Sequence, residues 1–598
     1  MDEIVFLGLS INAWITIVTV VAVICVLTMT KIRNDAVFLI AIGVLFITGV
    51  LDAGEVCSGF NSSAVVVTGV LSVVVAGLRY TGVLQWSLKH IFGVPDSFPK
   101  ALVRMMIPVS SLSIFINNNT VTTLFSSVMK QWAKKLGVAA SKLYLPMVYV
   151  ILLGGACTLI GTSSNIVISE LYKEASGNAM NMFTPFVPGV ISLIVGMVVI
   201  ILMRRWLPDR KSPEDAFVPT PDYTVELLVP ADNPNIGKTL GEAGLLKVKG
   251  GNLIEIYHFD NVQFPVSEDE FIMGGDRLIY AGQIDEILDL KSSHSLAIAD
   301  HPVFSLSETK RHSCLRTVSV PFGSPLIGKT IGGSKLEKEA DLILVAVARR
   351  GTRIAASPRE VRLKAGDTLL FECPRKMKTV PGHLSSQLQF SEPLEVYETS
   401  PKTLVSTLIL MAMLILTSLN VLSLLQSTVM AALAMLAFRC CSVTQAMDSI
   451  NWKVLMGIAG SVVIGTAISK TGIAEQAANG ILGICGSNPL VVMIALCLVV
   501  AFFTQLVTNV AIGAMFFPIM YQAALQIGYD PKTFIVALMV AVNASFATPI
   551  GAPSNMIIYG PGGYRFSDFM RIGIPLTLIV IFIGIGAACL MFPLTPLP

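Results

Sequence analysis

The sequence has few charged residues. Asp, Glu, Lys and Arg make up 14% of its 598 residues, whereas an ordinary soluble domain has about 25%. Hydrophobic residues make up 53%, and the mean hydropathy is +0.72. This balance places most of the chain in a lipid bilayer. The net charge of +3 is too small to indicate a nucleic-acid partner, and we predict none.

Residues that carry catalysis or bind transition metals are also scarce. The ten cysteines include no C-x-x-C pair and lie mostly in apolar stretches, where a thiol serves as small apolar filler. All six histidines fall outside the predicted spans, and no predicted span has a carboxylate at its middle. A proton antiporter is disfavoured because it needs such carboxylates, and no organic cofactor is predicted.

The strongest signal in the sequence is a duplication. The motif T-x-I-G-x-x-S-N occurs at 158–165 and again at 548–555. The same offset (548 − 158 = 390) carries Asn119 to Asn509. A single gapless offset over such a span is hard to produce by chance. We therefore predict two repeats of one membrane unit, at 1–208 and 401–598.

Each repeat combines membrane spans with one interrupted segment. A span needs about 20 apolar residues, and the predicted spans are 4–28, 36–52, 63–79, 143–170, 182–203, 403–420, 422–438, 452–470, 533–558 and 572–594. The apolar segment 101–130 is interrupted by Asn117-Asn118-Asn119. Lipid does not tolerate such polar groups unless they face protein or water. The segment therefore predicts a re-entrant hairpin with the asparagines at its tip, repeated across 489–520.

The placement of basic residues sets the orientation in the membrane. Five passes and one hairpin make the second repeat inverted relative to the first. With the N-terminus outside, Lys134-Lys135 and Arg204-Arg205 fall on one side, which is then the cytoplasm. Lys470 and Lys532 fall on the other side. Inverted repeats with broken helices at mid-membrane are typical of secondary transporters. We predict a multi-pass transporter of the inner or plasma membrane, with the lipid bilayer as its surroundings.

The segment between the repeats has a soluble composition, with charged residues, Gly-Asp turns and alternating β-branched runs. It is itself duplicated. The motif P-x-I-G-K-T at 234–239 returns at 325–330 (325 − 234 = 91), and Gly275-Asp276 returns as Gly366-Asp367. The fold predicted for the chain is therefore an all-α polytopic membrane protein with two small inserted α+β cytoplasmic modules. Their limits are 209–300 and 301–400.

One stretch of the second module imitates a nucleotide-binding loop. Residues 323–330 fit the P-loop pattern G-x-x-x-x-G-K-T. However, Gly332-Gly333 follow where a P-loop needs a firm helix, and the first module has Asp232 in place of the first glycine. We therefore do not predict an ATPase, and Lys329 is interpreted as a surface lysine. The chain is predicted not to be an enzyme.

The polar residues of the two membrane repeats are the candidates for ligand binding. Asn and Thr side chains and freed carbonyl groups suit Na⁺, and the N-termini of half-helices suit an anion. A broken helix near Gly161 or Gly551 supplies both. The alternative is that intramembrane Asn, Ser and Thr only join helices, but the duplication favours function. The candidate anion-binding residues are Asn118, Asn119, Thr120, Ser164, Asn165, Thr508, Asn509, Thr548, Pro549, Ser554 and Asn555.

Several of these motifs together resemble the divalent anion/sodium symporter family, which carries sulfate and dicarboxylates with sodium. They are Asn118-Asn119-Thr120, Thr508-Asn509, Gly161-x-x-Ser164-Asn165, the stretch 547–551 and the stretch 559–564. The resemblance covers both membrane repeats. It implies two or more sodium ions as co-substrate, an anion between the hairpin tips, a homodimer and elevator-type alternating access. The sodium positions that it implies are Asn119, Thr158, Gly161, Thr504, Asn509, Ala547 and Gly551.

The sequence departs from the family pattern at the hairpin tips. Asn118 and Thr508 stand where the family commonly has Ser, and Val510 stands where it has Thr. With fewer hydroxyl donors and no Arg or Lys inside the spans, a compact oxyanion such as sulfate is favoured as the imported substrate. A di- or tricarboxylate remains the alternative. A carrier for arsenite, or one that exchanges protons for sodium, is a further alternative.

The soluble modules resemble the TrkA C-terminal (RCK-C) module. This resemblance implies dimerisation or a small cytoplasmic ligand such as a nucleotide, and a purely structural insert is held as the equal alternative. It also leaves open an ion channel or cation transporter gated by the modules. Such a channel would need a pore motif of the T-V-G-Y-G kind, which the sequence lacks.

Overall fold

The structure is a computed structural model of the whole chain. It describes residues 5–6, 9–29, 34–82, 95, 97–210, 224–245, 247–248, 251–258, 261–263, 266–282, 294–298, 313–320, 324–330, 343–349, 352–354, 361–374, 389–390, 402–419 and 421–597. The chain divides into two compact units. The first comprises Met1–Asp209, Tyr397–Tyr559 and Tyr564–Pro598, and the second comprises Arg210–Val396 with Gly560–Gly563.

The first unit is helical, apart from a short hairpin of β1 (Val5–Phe6) and β2 (Leu9–Ser10) at its start. Its N-terminal half contains the helices α1 (Ile11–Met29), α2 (Asn34–Ile47), α3 (Ala53–Phe60), α4 (Ser63–Tyr80), α5 (Phe98–Ser113), α6 (Asn118–Leu136), α7 (Ser141–Gly155), α8 (Ser163–Ser176) and α9 (Phe186–Leu202), followed by the 3₁₀ turn Met203–Trp206.

The C-terminal half repeats this order. Its helices are α10 (Thr403–Ser418), α11 (Leu424–Ala437), α12 (Val443–Ser449), α13 (Trp452–Lys470), α14 (Ile473–Cys485), α15 (Pro489–Phe503), α16 (Asn509–Ile527), α17 (Pro531–Asn543), α18 (Pro553–Tyr559) and α19 (Phe566–Met591). Helices of the two halves pack against each other in mirrored pairs, because α2 packs on α13 and α4 packs on α11.

Several helices are apolar enough to cross a membrane. Among the described residues, five helical stretches meet this criterion by length and composition: Ala53–Tyr80, Phe186–Trp206, Trp452–Lys470, Asn509–Ile527 and Phe566–Met591. The pair α14 and α15 meets it together but is bent by 117°. The chain is therefore a mostly helical polytopic membrane protein.

Two of the predicted spans are interrupted. In the segment 143–170, α7 ends at Gly155 and α8 begins at Ser163. In the segment 533–558, α17 ends at Asn543 and α18 begins at Pro553. The sequences between them, rich in Gly, Ser, Thr and Pro, favour turns over helix. The predicted proximity of each break to Gly161 or Gly551 agrees with these limits.

The helices that precede these breaks form the core of the unit. In α7 every side chain except that of Lys142 is buried, and in α17 every side chain except that of Lys532 is buried. A helix that is apolar on all sides belongs in the interior. Tyr149 of α7 donates a hydrogen bond to the carbonyl of Phe546, 2.9 Å away, in the opposite repeat. Both breaks therefore begin on rigid, central helices.

The second unit contains two antiparallel sheets. Their strands are β3 (Thr224–Leu228), β4 (Lys247–Val248), β5 (Gly251–His258), β6 (Asn261–Gln263), β7 (Arg277–Gly282), β8 (Ala297–Ile298), β9 (Ser313–Ser319), β10 (Ile343–Arg349), β11 (Thr352–Arg353), β12 (Thr368–Pro374) and β13 (Gln389–Phe390). One sheet has the order β4-β5-β7-β3-β8 with β6 beside β5, and the other has the order β11-β10-β12-β9-β13. Gly323 and Gly332-Gly333, which entered the P-loop comparison, lie outside the described residues.

Each sheet has a buried aspartate that contacts a basic side chain, and the two aspartates lie at equivalent positions. Asp367 is fully buried, and Arg349 donates to both of its carboxylate oxygens at 2.7 Å. In the first sheet, Asp276 is equally buried and lies 2.8 Å from Nδ1 of His258. The hydrogen bonds to Asp367 raise the pKa of the Arg349 guanidinium above its ordinary value. The Arg349 guanidinium therefore stays charged at physiological pH.

We expect Arg349→Met to unfold the second sheet locally. The change leaves the Asp367 carboxylate buried without its partner, which costs about 3–5 kcal/mol. Limited proteolysis of the intact, detergent-solubilised protein should show cleavage within 313–374 at least about a hundredfold faster than in the wild type. Lys329→Met, which removes an exposed charge in the same unit, is the control and should leave cleavage unchanged. Equal cleavage of the two variants would contradict the structural role of the pair.

Candidate functional site

The first half of the site lies where α5 stops and α6 begins. Asn117 caps α6, because its Oδ1 accepts the N–H of Asn119 at 3.0 Å. The buried Ser113 hydroxyl lies 2.7 Å from Oδ1 of Asn118 and 2.8 Å from the carbonyl of Ile151. We call these three groups the first-repeat cluster. They gather neutral oxygen atoms at a point where the backbone leaves the helical hydrogen-bond pattern.

The second repeat builds the same arrangement between α15 and α16. The Thr504 hydroxyl lies 2.9 Å from Oδ1 of Asn509 and 2.9 Å from the carbonyl of Val542. We call these groups the second-repeat cluster. Asn509 also donates through Nδ2 to the Ser545 hydroxyl at 3.2 Å. The two clusters correspond atom for atom.

This correspondence corrects the gapless offset derived from the sequence. The hydrogen bonds pair Asn118 with Asn509 (509 − 118 = 391) and Ser113 with Thr504. The limits of α6 and α16 show the same offset. The offset is 390 again at the T-x-I-G-x-x-S-N motifs. The segments around α6 and α16 therefore align with an offset one residue larger than that of the motifs, and Val510 is the counterpart of Asn119.

Two threonines tie the broken helices to the helix breaks that precede α6 and α16. The Thr158 hydroxyl donates to the carbonyl of Ile114 at 2.5 Å and accepts the N–H of Gly161 at 3.1 Å. The Thr548 hydroxyl donates to the carbonyl of Gln505 at 2.6 Å and accepts the N–H of Gly551 at 3.0 Å. Thr158 and Thr548 therefore hold the two breaks of each repeat together.

Gly161 and Gly551 allow the two breaks to approach closely. A Cβ added to Gly161 would lie 2.6 Å from the carbonyl oxygen of Gly155 and 2.8 Å from that of Ser113. A Cβ added to Gly551 would lie 2.7 Å from the carbonyl oxygen of Thr504. No side chain fits at these distances. The carbonyl groups of Ser113 and Thr504 thus lie against the broken helices.

The two repeats meet through polar side chains of these same segments. The Ser554 hydroxyl donates to Oδ1 of Asn119 at 2.9 Å. Nδ2 of Asn543 donates to Oδ1 of Asn165 at 2.9 Å, and Oδ1 of Asn543 accepts from the Ser164 hydroxyl at 3.2 Å. The predicted site residues of both repeats therefore form one continuous polar region inside the unit.

Family comparison agrees with this architecture. A family model described as citrate transporter (CitMHS) matches residues 23–484 and 458–597. The chain belongs to the citrate transporter family. The family description and relatives that are named as transporters confirm the prediction that the chain is not an enzyme.

Three relatives of this citrate transporter family protein match nearly its whole length. An uncharacterized transporter of Synechocystis is 28% identical over 590 residues, which are 95% of this chain and 95% of the relative. A putative sulfur deprivation response regulator of Chlamydomonas reinhardtii is 28% identical, covering 93% of this chain and 98% of the relative. Sodium/sulfate cotransporter 2 of the same alga is 21% identical, covering 91% and 85%. The chain is similar to anion transporters along both repeats.

Asn165 and Asn555, two predicted binding residues of this transporter, also have a structural role. Nδ2 of Asn165 donates to the carbonyl of Thr158 at 3.0 Å, and Nδ2 of Asn555 donates to the carbonyl of Thr548 at 2.8 Å. Both amides thus close the turns of the broken helices. Their oxygens differ, because Oδ1 of Asn165 accepts from Asn543, whereas Oδ1 of Asn555 is buried without a partner among the described atoms.

The remaining predicted residues lie at the edges of the same region. Thr120 lies in the first turn of α6 and Thr508 is the N-cap of α16, and both are half-buried. Pro549 is buried in the second break. The N–H of Ala547 donates to Oε1 of Gln505 at 2.8 Å. These contacts place all four at the breaks of the transporter.

Sequence reasoning missed three residues of this region. Gln505 links the end of α15 to the break after α17, Asn543 links the repeats, and Ser545 contacts Asn509. The available signal was a polar amide within an apolar segment, which is costly in a membrane unless it has partners. Comparison of the repeats concealed Asn543, because α7 has leucines at the corresponding positions, 152 and 153.

The electrostatics of the region depend on dipoles. Among the described residues, no group of three or more His, Cys, Asp or Glu could hold a metal ion. The N-caps of α8 and α16, Thr162 and Thr508, make no side-chain capping bond. Their first N–H groups and positive dipole ends therefore face the breaks. The region offers neutral oxygens for a cation and backbone donors for an anion.

Proposed function

We propose that the protein is a sodium-coupled secondary transporter that imports a small divalent anion, with sulfate favoured. The observation that carries this proposal is the paired cluster of neutral oxygens at Ser113 with Asn118 and at Thr504 with Asn509. Hydroxyl, amide and carbonyl oxygens are ligands that suit hard cations. Sodium/sulfate cotransporters among the relatives support the same pairing of ion and anion.

Sodium would bind on the hairpin side of each break. In the second repeat, its ligands would come from Thr504, Asn509, Ala547 and Gly551. In the first repeat, the shift of one residue assigns Asn118 and Ser113 to the corresponding positions, beside Thr158 and Gly161. Two equivalent clusters support two sodium ions as co-substrate. Asn119, to which the family resemblance assigned sodium, would then serve the anion.

The anion would bind between the two hairpin tips, where the repeats touch. Oδ1 of Asn119 and the hydroxyl oxygen of Ser554 are 2.9 Å apart and belong to different repeats. The N-termini of α8 and α16 supply backbone donors. Thr120, Ser164 and Thr508 would add hydroxyl groups. A bound sodium ion supplies positive charge beside this position, which the side chains lack. This explains why the anion would bind after sodium.

Alternating access would follow from the two-repeat architecture. Sodium loading would complete the anion site, and the loaded site would then exchange between the two faces of the membrane. An elevator-type motion within a homodimer is the form that the resemblance to sodium symporters favours. The cytoplasmic modules would regulate this cycle as RCK-C-like domains through a small ligand such as a nucleotide.

A di- or tricarboxylate is the second candidate substrate. The description of the family as citrate transporter favours it. Carboxylates and sulfate would use the same backbone donors, because both are oxyanions. No span predicted from the sequence has an Arg in its interior for a bidentate carboxylate contact, and this disfavours a carboxylate substrate.

Uptake by proteoliposomes tests the proposal. We expect labelled sulfate to accumulate with an inward sodium gradient and not with choline in its place, because the sodium charge completes the anion site. Accumulation of succinate or citrate in place of sulfate would favour the carboxylate candidate. Liposomes without protein provide the background. Uptake at the same rate without sodium would contradict the coupling.

A further inference from the structure

A basic cavity lies away from the polar region, at the end of α11. Its volume is about 610 Å³, and its lining includes Thr81, Lys402, Arg439, Ser442 and Gln445. These residues come from the end of α4, the start of α10 and the turn between α11 and α12. By the predicted orientation, this turn faces the cytoplasm. None of these residues belongs to the proposed transport site.

Arg439 adopts a backbone conformation that favours glycine. Its φ is +53°, in the left-handed region. The counterpart in the first repeat (439 − 390 = 49) is Gly49, with φ +75°. A non-glycine residue in this region carries strain, which persists where the surroundings hold it and clusters at functional sites. The second repeat therefore has an arginine at a position where the first repeat has glycine, which adopts this conformation without strain.

The turn between α11 and α12 and its counterpart in the first repeat, the turn between α2 and α3, carry opposite charges. We call each of these turns, with the residues that line it, a corner. In the first repeat the corner is acidic, because Asp52 and Glu55 form its capping box and Glu55 pairs with Lys470 at 2.6 Å. In the second repeat the same capping box is neutral, formed by Ser442 and Gln445. Lys402 and Arg439 replace Asn12 and Gly49. The second corner therefore favours an anion.

The side chains of Lys402 and Arg439 differ in their contacts. Nζ of Lys402 donates to the carbonyl of Arg439 at 2.9 Å, which satisfies a carbonyl just beyond the end of α11. The Arg439 side chain is exposed, and we find no hydrogen bond or ion pair from its guanidinium to another described residue. Lys402 thus has a structural role in the turn. The N–H donors of the Arg439 guanidinium group are available to bind a ligand.

We propose that this cavity binds the phosphate of an anionic phospholipid headgroup on the cytoplasmic side. Phosphate oxygens match the guanidinium fork of Arg439 and the ammonium of Lys402. Phe438 and Val443, which flank the turn, are 60% and 67% exposed, and such apolar side chains suit acyl chains better than water. Basic pockets between membrane helices on this side are suited to anionic headgroups.

Native mass spectrometry of the purified full-length protein tests the proposal. The delipidated protein is titrated with phosphatidylglycerol, and with phosphatidylcholine as the neutral lipid. We expect Arg439→Gly to weaken phosphatidylglycerol binding about fivefold, and the double change with Lys402→Asn about 25-fold. These substitutions copy the first repeat. Phosphatidylcholine binding should not change.

The matched control is Arg205→Gln, which removes an exposed cation on the same predicted side outside the cavity. It should retain wild-type binding of phosphatidylglycerol. Arg439→Gly should unfold at the same temperature as the wild type or above it in neutral lipid, because glycine relieves the left-handed strain. Unchanged phosphatidylglycerol binding by this folded variant would overturn the proposal. Displacement of the lipid by inorganic phosphate or sulfate would overturn the lipid assignment in favour of a soluble anion.

Discussion

Gly161→Ala and Gly551→Ala should each reduce sodium-dependent uptake by about a hundredfold. The added methyl would lie within 2.8 Å of a backbone carbonyl at both positions, and backbone atoms on buried helices cannot move aside as a side chain can. The broken helix would have to shift away from the carbonyl of Ser113 or Thr504. A displacement of about 1 Å at a positioned site is enough for a loss of this size. Uptake by reconstituted variants measures it.

Two other glycines provide the control for these substitutions. Gly457 in α13 and Gly586 in α19 have nothing within 4 Å of an added Cβ. Alanine at either position should leave uptake at the wild-type rate and stabilise the helix by up to about 1 kcal/mol. Melting temperature and elution volume report whether all four variants fold. Wild-type uptake by both Gly161→Ala and Gly551→Ala would exclude the two breaks as the transport site.

The breaks could be predicted because their cause is local. Asn, Gly, Ser, Thr and Pro within apolar segments cannot continue a lipid-facing helix, so motifs such as T-x-I-G-x-x-S-N mark an interruption wherever they occur. Because the motif is duplicated, the sequence alone predicted that Thr158, Gly161 and their counterparts lie at the breaks. The apolar runs likewise predicted most of the long helices, but they missed α3, α12 and α14, which lie outside every predicted span. Local chemistry therefore determined the architecture of the membrane unit.

The detailed pairing of side chains could not be predicted, because it depends on tertiary contacts. The offset of 390 aligns the two repeats by residue type alone, and it paired Asn119 with Asn509. The hydrogen bonds of Ser113 and Thr504 select Asn118 instead. Asn543 escaped notice for a similar reason. Its role arises from contact with Asn165 of the other repeat, which no pattern within one repeat contains.

The shift of one residue gives the second large prediction. Asn118→Ala and Asn509→Ala should each raise the sodium concentration for half-maximal uptake by about 10- to 100-fold, because each loses an oxygen that would face the cation. A hydrogen bond or contact to a charged group contributes about 1.5–3 kcal/mol, which corresponds to this range. Asn119→Val, which copies Val510, should leave the sodium requirement unchanged. It should raise the KM for the anion, because the contact with Ser554 is lost.

Thr504 separates loss of a sodium ligand from general damage to the hairpin. Thr504→Ser keeps the hydroxyl near Asn509 and the Val542 carbonyl, so its sodium requirement should stay close to that of the wild type. Thr504→Val keeps the shape and removes the hydroxyl, so its sodium requirement should rise as in Asn509→Ala. If Asn119→Val alters the sodium requirement while Asn118→Ala does not, sodium binds at Asn119, and the clusters defined by Ser113 and Thr504 only join helices. The opposite result assigns the cation to the pair Asn118 and Asn509, whose amide oxygens occupy the same place beside Ser113 and Thr504 in the two repeats.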